Sequence, residues 1–311
     1  RASNCAPACA TRSRLDPCSD ACANLVATCR RFDILIFFGS ACAQAAALPS
    51  VMALLSRGTG LPTRSGTARF VMQLAQQQPN HVAPHAAPLL RTLRSSSLAE
   101  KSDVARRAYA SAAAQVARGA PVEVLGELVT DLVRRYTSDE AGEDDDAQRV
   151  AITYLMRELL RGAADAMGRV QPDWLPLAFV ARHEPRSQAE VAAAPTNAQK
   201  EEKGRLASMW GEAFDEAGIG PSMVGLHATE LLELIGRLIE GTSWALRRAA
   251  AYALIELSTT AKARLAADGA LGAEVTRLAG LLRDKRWRDK EDLLAKVDAL
   301  LPPAPAAPIP A

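Results

Sequence analysis

The chain has 311 residues and a mass of 33.1 kDa, which suits two ordinary domains or one elongated array of repeats. Hydrophobic residues make up 49% and aromatic residues 5%, so a largely disordered chain is excluded, and the abundance of alanine and leucine favours helices packed on helices. Lys and Arg number 37 and Asp and Glu 35, for a net charge of +2, which argues against a nucleic-acid partner held by bulk charge. The apolar runs are far shorter than the ~20 residues that cross a bilayer, so no membrane insertion is predicted.

The cysteines are confined to the start of the chain, at Cys5, Cys9, Cys18, Cys22, Cys29 and Cys42. Such a cluster is compatible with disulfides, or with a zinc site built from its first four members. The pairs have C-x3-C spacing rather than C-x2-C, and no histidine precedes His81. The rest of the chain is typical of an intracellular helical protein, in which thiols stay reduced. We therefore predict neither a metal nor a disulfide, and interpret residues 1–47 as a Cys-rich segment that is disordered or arises from a frame error.

From residue 48 onward, apolar residues recur at helical spacing in segments that come in pairs. Gly58 to Leu61 forms a turn, and Pro62 suits a first helical position. Gly119 and Pro121 close the next pair, and an acidic loop at 138–146 lies within the third. Alternating patterns of β-branched residues are missing, so no strand is predicted.

The helical periodicity fails at residues 184–204, which are polar, rich in alanine and interrupted by two prolines. This segment is interpreted as a flexible insertion. Helical patterns resume over residues 205–300, first as a short helix with Trp210 and then as two further pairs. The Pro/Ala-rich tail, residues 301–311, is predicted to be disordered.

A spacing of 43 residues recurs along the chain and relates Arg64 to Arg107, Arg106 to Arg149, Trp244 to Trp287 and Arg247 to Lys290. A period of ~40–47 residues with two helices per unit is typical of HEAT and armadillo repeats. One such helical hairpin cannot bury its apolar face alone, so neighbouring units stack into a continuous core. The sequence therefore predicts an all-α, HEAT/armadillo-like α-solenoid of stacked antiparallel helix pairs, with repeats over residues 48–183 and 205–300.

A search for catalytic or ligand-binding motifs finds none of the common patterns. The sequence has no phosphate-binding loop, no G-x-S-x-G elbow and no H-E-x-x-H motif. His81 and His85 are four residues apart, but Pro84 lies between them and disfavours a helix that would place both on one face. No candidate nucleophile accompanies His183 in the nearby sequence. The Asp144–Asp146 run lacks the glycine and glutamate of a calcium loop. We predict a protein that is not an enzyme, with no catalytic residue, cofactor, metal or small-molecule substrate.

Several segments resemble one particular HEAT family. GTGLPTRSGTARFVMQLAQQ (58–77) is similar to the turn and helix that contain GLPT in the proteasome adaptor and scaffold family, the extracellular-mutant-29 proteins. WLPLAFVARHE (174–184) resembles the LPLAF…HE segment of that family, and SMWGEAF (208–214) the helix after its insertion. GTSWALRRAAAYALIEL (241–257) and LLRDKRWRDKEDLLAKV (281–297) resemble its last repeats. The order and spacing of these segments agree with the family over roughly residues 50–300.

The resemblance implies that the chain is the C-terminal part of a larger, non-catalytic HEAT solenoid. It implies binding to the 26S proteasome, tethering of the core and regulatory particles, and a contribution to proteasome assembly, stability or quality control in the cytoplasm and nucleus. The alternative is a HEAT or armadillo protein-binding module of another system, such as a transport or phosphatase scaffold. The LPLAF…HE segment and the W-x-x-KE-x-LL pattern at residues 287–294 favour the proteasome scaffold, since a generic HEAT array does not require them.

Two charged turns are the candidate partner contacts. The acidic loop contributes Asp144, Asp145 and Asp146, which are also in a position to cap the following helix. The basic turn at 283–290 contributes Arg283, Lys285, Arg286 and Arg288, interrupted by two aspartates. Its alternatives are a solvated turn between repeats, a surface for an acidic protein, or a contact with nucleic acid.

Overall fold

The computed structural model describes residues 48–57, 60–138, 145–184, 208–267 and 270–281, together with residues 283 and 294. The Cys-rich segment 1–47, most of the predicted insertion and the tail 301–311 lie outside these residues, so the expectations for them stay predictions. The chain divides into two compact units, Arg1–Gly119 (unit 1) and Ala120–Ala311 (unit 2). Each unit is built from paired helices.

The described part of unit 1 contains two helix pairs with a short helical linker. Its helices are α1 (Leu48–Arg57), α2 (Leu61–Gln77), α3 (Pro79–Val82), a 3-10 turn at Ala83–His85, α4 (Ala86–Ala99) and α5 (Asp103–Arg118). The first helices, α1 and α4, pack on each other, and so do the second helices, α2 and α5. Each first helix also packs on its own second helix.

Local sequence sets the ends of these helices and their close packing. Gly60 precedes α2 in an extended conformation, and a proline follows within the first turn of that helix, where its missing N–H has no intrahelical partner to lose. The buried face of α5 consists largely of alanine, which lets the neighbouring helices approach closely. His81 and His85, on α3 and the 3-10 turn, are both exposed.

Unit 2 contains α6 (Val122–Tyr136), α7 (Asp145–Gly162), α8 (Ala164–Gly168), α9 (Gln171–Ala181), α10 (208–216), α11 (Pro221–Leu226), α12 (Ala228–Glu240), α13 (Trp244–Thr260), α14 (Lys262–Ala267) and α15 (Ala270–Leu281). Helix α9 packs on α6, α12 and α13. All of its residues from Trp174 to Ala181 are buried, so it is apolar all round, as expected for a helix enclosed by others. The Trp174 indole N–H donates to the Met167 carbonyl at 2.9 Å and so fixes α9 to α8.

The observed helices correct the sequence pattern at two places. The apolar pattern over residues 222–239 predicts one helix, but the structure has a break at His227 between α11 and α12. Arg264 of α14 compensates by donating to the Gly225 carbonyl at 2.7 Å. In addition, the 43-residue spacing aligns Arg64 with Arg107, but the structure aligns it with Arg106. Arg64 and Arg106 are each the fourth residue of the second helix in their pair.

The described residues form no β-strand, and the all-α prediction is confirmed for them. In that part of the chain no helix combines the length and hydropathy that a membrane span requires.

Candidate functional site

The predicted acidic contact lies at a helix start. Asp144 falls outside the described residues, and Asp145 and Asp146 are the first two residues of α7. The role of these aspartates in partner contact stays a prediction.

The predicted basic contact begins at the end of α15. Arg283 is exposed, and its backbone N–H donates to the Gly280 carbonyl at 3.2 Å, which closes the end of the helix. Lys285, Arg286 and Arg288 lie outside the described residues. Asp145 begins α7 and Arg283 follows α15, so these two candidates lie at different helices of unit 2. The role of the basic turn in binding a partner also stays a prediction.

A buried glutamate links the repeats of unit 1. Glu100 follows the first helix of the second pair, and its Oε2 lies 3.3 Å from Nη1 of Arg64, near the start of the preceding second helix. The other carboxylate oxygen accepts the Ser102 backbone N–H at 2.9 Å. Arg106 donates to the Glu100 carbonyl at 2.8 Å and to Asp103 at 3.0 Å. We call this group of charged residues the unit 1 clamp.

Unit 2 repeats the arrangement with deeper burial, in a group that we call the unit 2 clamp. Glu184 follows α9, and its Oε1 lies 3.7 Å from Nη1 of Arg149, near the start of α7. Its Oε2 accepts the Tyr136 hydroxyl at 2.6 Å. Burial, followed by the charge of Glu184, raises the pKa of Tyr136 well above its usual value. The rings of Trp210 and Tyr136 pack in a T-shaped arrangement with centroids 5.7 Å apart.

These clamps stabilise the fold rather than perform chemistry. In both, an arginine early in a second helix meets a glutamate 36 or 35 residues later, after the first helix of the next pair. A buried carboxylate needs such partners because its desolvation is costly. The clamps therefore fix the register between consecutive helix pairs.

A third polar group joins α9, α10 and α13. The Arg182 guanidinium lies over two aromatic rings, 4.6 Å from the centroid of Phe179 and 3.9 Å from that of Phe214, a favourable cation–π arrangement. Glu256 of α13 pairs with Arg182, and its Oε2 lies 2.9 Å from Nε2 of His183. Burial acts to raise the pKa of Glu256, but the contacts with His183 and Arg182 outweigh it and lower that pKa below its usual value.

Sequence reasoning missed the acidic members of these groups, Glu100, Glu184 and Glu256. For Glu100 and Glu184, the available signal was an acidic residue shortly after an apolar first helix, 36 or 35 residues after an arginine near the start of the preceding second helix. Glu256 lies inside α13 and had no such signal. Among the described residues, no three His, Cys, Asp or Glu side chains are grouped so as to hold a metal ion.

The net charge of the whole chain conceals a large difference between its parts. Residues 48–119 contain nine Lys and Arg but two Asp and Glu, whereas residues 120–311 contain 23 and 30. The first segment therefore carries a net charge of +7 and the second −7. The two segments therefore differ in the sign of their net charge, a property that affects binding specificity and association rate.

Helix pairs whose first helices pack together and whose second helices pack together, with a buried glutamate joining one pair to the next, define a HEAT-repeat protein. Residues 38–137 match the family model for the HEAT-repeat domain of the proteasome adapter and scaffold protein ECM29. The resemblance of the sequence to this family is confirmed, and with it the HEAT-like fold.

Two curated relatives support the same conclusion over more of the chain. The Proteasome component ecm29 of Schizosaccharomyces pombe is 24% identical over 246 residues, which cover 79% of this chain. The human Proteasome adapter and scaffold protein ECM29 is 23% identical over 251 residues, or 80% of this chain. The chain spans about 13% of the length of each relative.

Proposed function

We propose that this chain is a non-catalytic HEAT-repeat scaffold that binds the 26S proteasome. The proposal is supported mainly by the agreement of the family model with two relatives whose names describe a proteasome component, adapter or scaffold. The charged groups described above are consistent with it, because their geometry serves to join helix pairs. A transport or phosphatase scaffold has no specific support from these comparisons.

We further propose that the chain contributes to tethering the core and regulatory particles, and thereby to proteasome assembly, stability or quality control. Repeat proteins built from stacked helix pairs generally offer long binding surfaces. When two weak contacts are linked, the second forms at a high effective concentration, so the linked pair holds more firmly than either alone. The proposal includes a cytoplasmic and nuclear location, which the resemblance implies.

The test is affinity capture of proteasomes by the tagged full chain from cell extract, with mass spectrometry of the bound proteins. We expect enrichment of subunits from both the core and the regulatory particle. A helical, soluble chain that captures neither particle would contradict the proposal. Imaging of the tagged chain in intact cells tests the proposed location.

Two charge variants test whether the predicted contacts take part. One replaces Asp144, Asp145 and Asp146 by Asn, and its matched control neutralises the exposed Glu123, Asp165 and Glu233. The other variant replaces the four basic residues of the 283–290 turn by Gln: Arg283, Lys285, Arg286 and Arg288. Its matched control replaces four exposed basic residues elsewhere in unit 2 by Gln: Arg134, Arg169, Arg237 and Lys262. We expect each contact variant to reduce capture more than its control. Equal capture by variant and control would refute the assignment of these residues while leaving the scaffold proposal intact.

A further inference from the structure

A groove at one end of unit 1 is not used by either clamp. A cavity of about 420 Å³ opens between the C-terminal ends of α2 and α5, beside α3. Its volume is within the range of sites that hold small ligands or peptide side chains, ~300–1,000 Å³. We call it the α2–α5 groove and define it by the six residues that decide its chemistry, Ala75, Gln76, Val82, Gln115, Val116 and Arg118.

The groove has an apolar floor and a polar rim. Ala75, Val82 and Val116 are buried and form the floor. Gln76 and Arg118 are exposed on the rim, where Arg118 also donates to Gln115 Oε1 at 3.4 Å. Small apolar side chains leave room for an aliphatic group, the amides can pair with a peptide backbone, and a guanidinium matches a carboxylate.

The charge around the groove favours an anionic occupant. None of the described residues that line the groove carries a carboxylate. The two acidic residues of the segment 48–119 are Glu100 and Asp103, and both are paired with arginine in the unit 1 clamp. Asp103 begins α5 and Arg118 ends it, so ~22 Å of helix separate that clamp from the groove at 1.5 Å per residue.

The same residues disfavour a nucleic acid as the occupant. Within residues 48–119 the aromatic residues are Phe70 and Tyr109, and both are buried. The described residues that line the groove include no aromatic ring on which a base could stack, and such stacking is a main source of affinity for single strands. The small apolar floor also suits an aliphatic side chain better than a base.

We propose that the α2–α5 groove binds a short acidic segment of a partner protein, with an aliphatic side chain on the floor and a carboxylate paired with Arg118. This inference goes beyond the proposed function, because it defines a chemical class of ligand for unit 1. It does not depend on the proteasome as the source of that segment.

The test is fluorescence anisotropy with the full chain and a labelled peptide of alternating Glu and Val, compared with the same peptide bearing Lys in place of Glu. We expect the acidic peptide to bind saturably at physiological salt and the Lys peptide not to bind. Replacing Arg118→Gln should weaken binding about tenfold, as expected for loss of a charge-assisted hydrogen bond. The matched control Arg91→Gln removes one exposed charge of the same unit from α4 and should change the affinity less than twofold.

A second variant fills the groove without changing its charge. Gly119 lines the groove, and a Cβ there would meet no atom within 4 Å, so Gly119→Leu is compatible with the fold. We expect it to reduce peptide affinity at least as much as Arg118→Gln. The control Gly168→Leu, at an exposed glycine of unit 2 with equally open space, should have no effect.

Three results would overturn the proposal. One is failure of the acidic peptide to bind the folded chain. Another is an equal loss of affinity in Arg118→Gln and Arg91→Gln, which would reveal diffuse attraction to unit 1. The third is displacement of the peptide by a short RNA or DNA at lower concentration than by unlabelled peptide. Because the probe is synthetic, each result is independent of whether the chain captures proteasomes.

Discussion

Units 1 and 2 share one construction and carry opposite charge. Both use a helix-start arginine and a glutamate after the next first helix to connect consecutive helix pairs. Yet the net charge is +7 over residues 48–119 and −7 over residues 120–311. The comparison shows that the repeated architecture depends on apolar periodicity and a few buried polar pairs, whereas the surface charge varies independently and is available for recognition.

The two clamps also differ in how far water reaches them. The side chains of Arg149 and Glu184 are 6% and 2% exposed, whereas the side chain of Arg64 is 33% exposed. Water can therefore replace the lost partner of Arg64 but not that of Arg149. This difference predicts unequal consequences when the glutamate is removed from each clamp.

The largest expected effect is the loss of stability in Glu184→Ala. The change leaves the buried Arg149 guanidinium and the Tyr136 hydroxyl without their carboxylate, which should cost about 3–5 kcal/mol. Glu100→Ala should cost about 1–2 kcal/mol, because Arg64 can be hydrated. Urea unfolding followed by circular dichroism measures both values.

Glu184→Gln is the control for this pair, because it keeps an acceptor for the Tyr136 hydroxyl while removing the charge. It should fall between the wild type and Glu184→Ala. Equal destabilisation by Glu184→Ala and Glu100→Ala would show that the difference in burial between the clamps has no energetic consequence.

A smaller effect is expected in the acid response of unit 2. Because the folded-state pKa of Glu256 is lowered, its contribution to stability is complete above the ordinary pKa of glutamate. That contribution is lost as pH falls from that value through the lowered folded-state pKa. Glu256→Gln should therefore reduce stability at neutral pH and flatten its decline in acid, as measured by thermal unfolding at a series of pH values.

The exposed Glu233→Gln is the matched control for the acid response. It should leave the slope of stability against pH close to that of the wild type. If Glu256→Gln and Glu233→Gln gave the same pH profile, the contacts of Glu256 with Arg182 and His183 would have no energetic role.

The smallest expected effect concerns the outer faces of α7 and α10. Arg157 Nη2 lies 2.6 Å from Glu212 Oε2, but the Glu212 side chain is 52% exposed. A double-mutant cycle with Arg157→Gln and Glu212→Gln should give a coupling energy of about 0.2–1 kcal/mol that weakens with salt. A coupling as large as the loss in Glu184→Ala would remove the distinction between buried clamps and surface pairs.

The helices could be predicted from the sequence better than the polar pairs that connect them. The apolar spacing indicates α2, α5 and α13 directly, because helix faces repeat every three or four residues. Glu184 and Arg149 are 35 residues apart and meet because consecutive helix pairs stack in one register. Local periodicity contains no information on that register.

The break at His227 and the opposite net charges of the two segments were missed for different reasons. Nothing in the apolar pattern of residues 222–239 shows that Arg264 satisfies the carbonyl groups freed at the end of α11. The difference in net charge is visible in the sequence once the unit boundary is known. It is hidden in the total of +2, because the excesses of the two segments cancel.

The most direct test of the central claim is a binding measurement between the purified full chain and purified proteasome particles. Immobilised chain would be exposed in turn to assembled 26S proteasome, isolated core particle and isolated regulatory particle. The scaffold proposal predicts binding to both isolated particles, and slower dissociation of the 26S assembly than of either one. A folded chain that binds none of the three would contradict it.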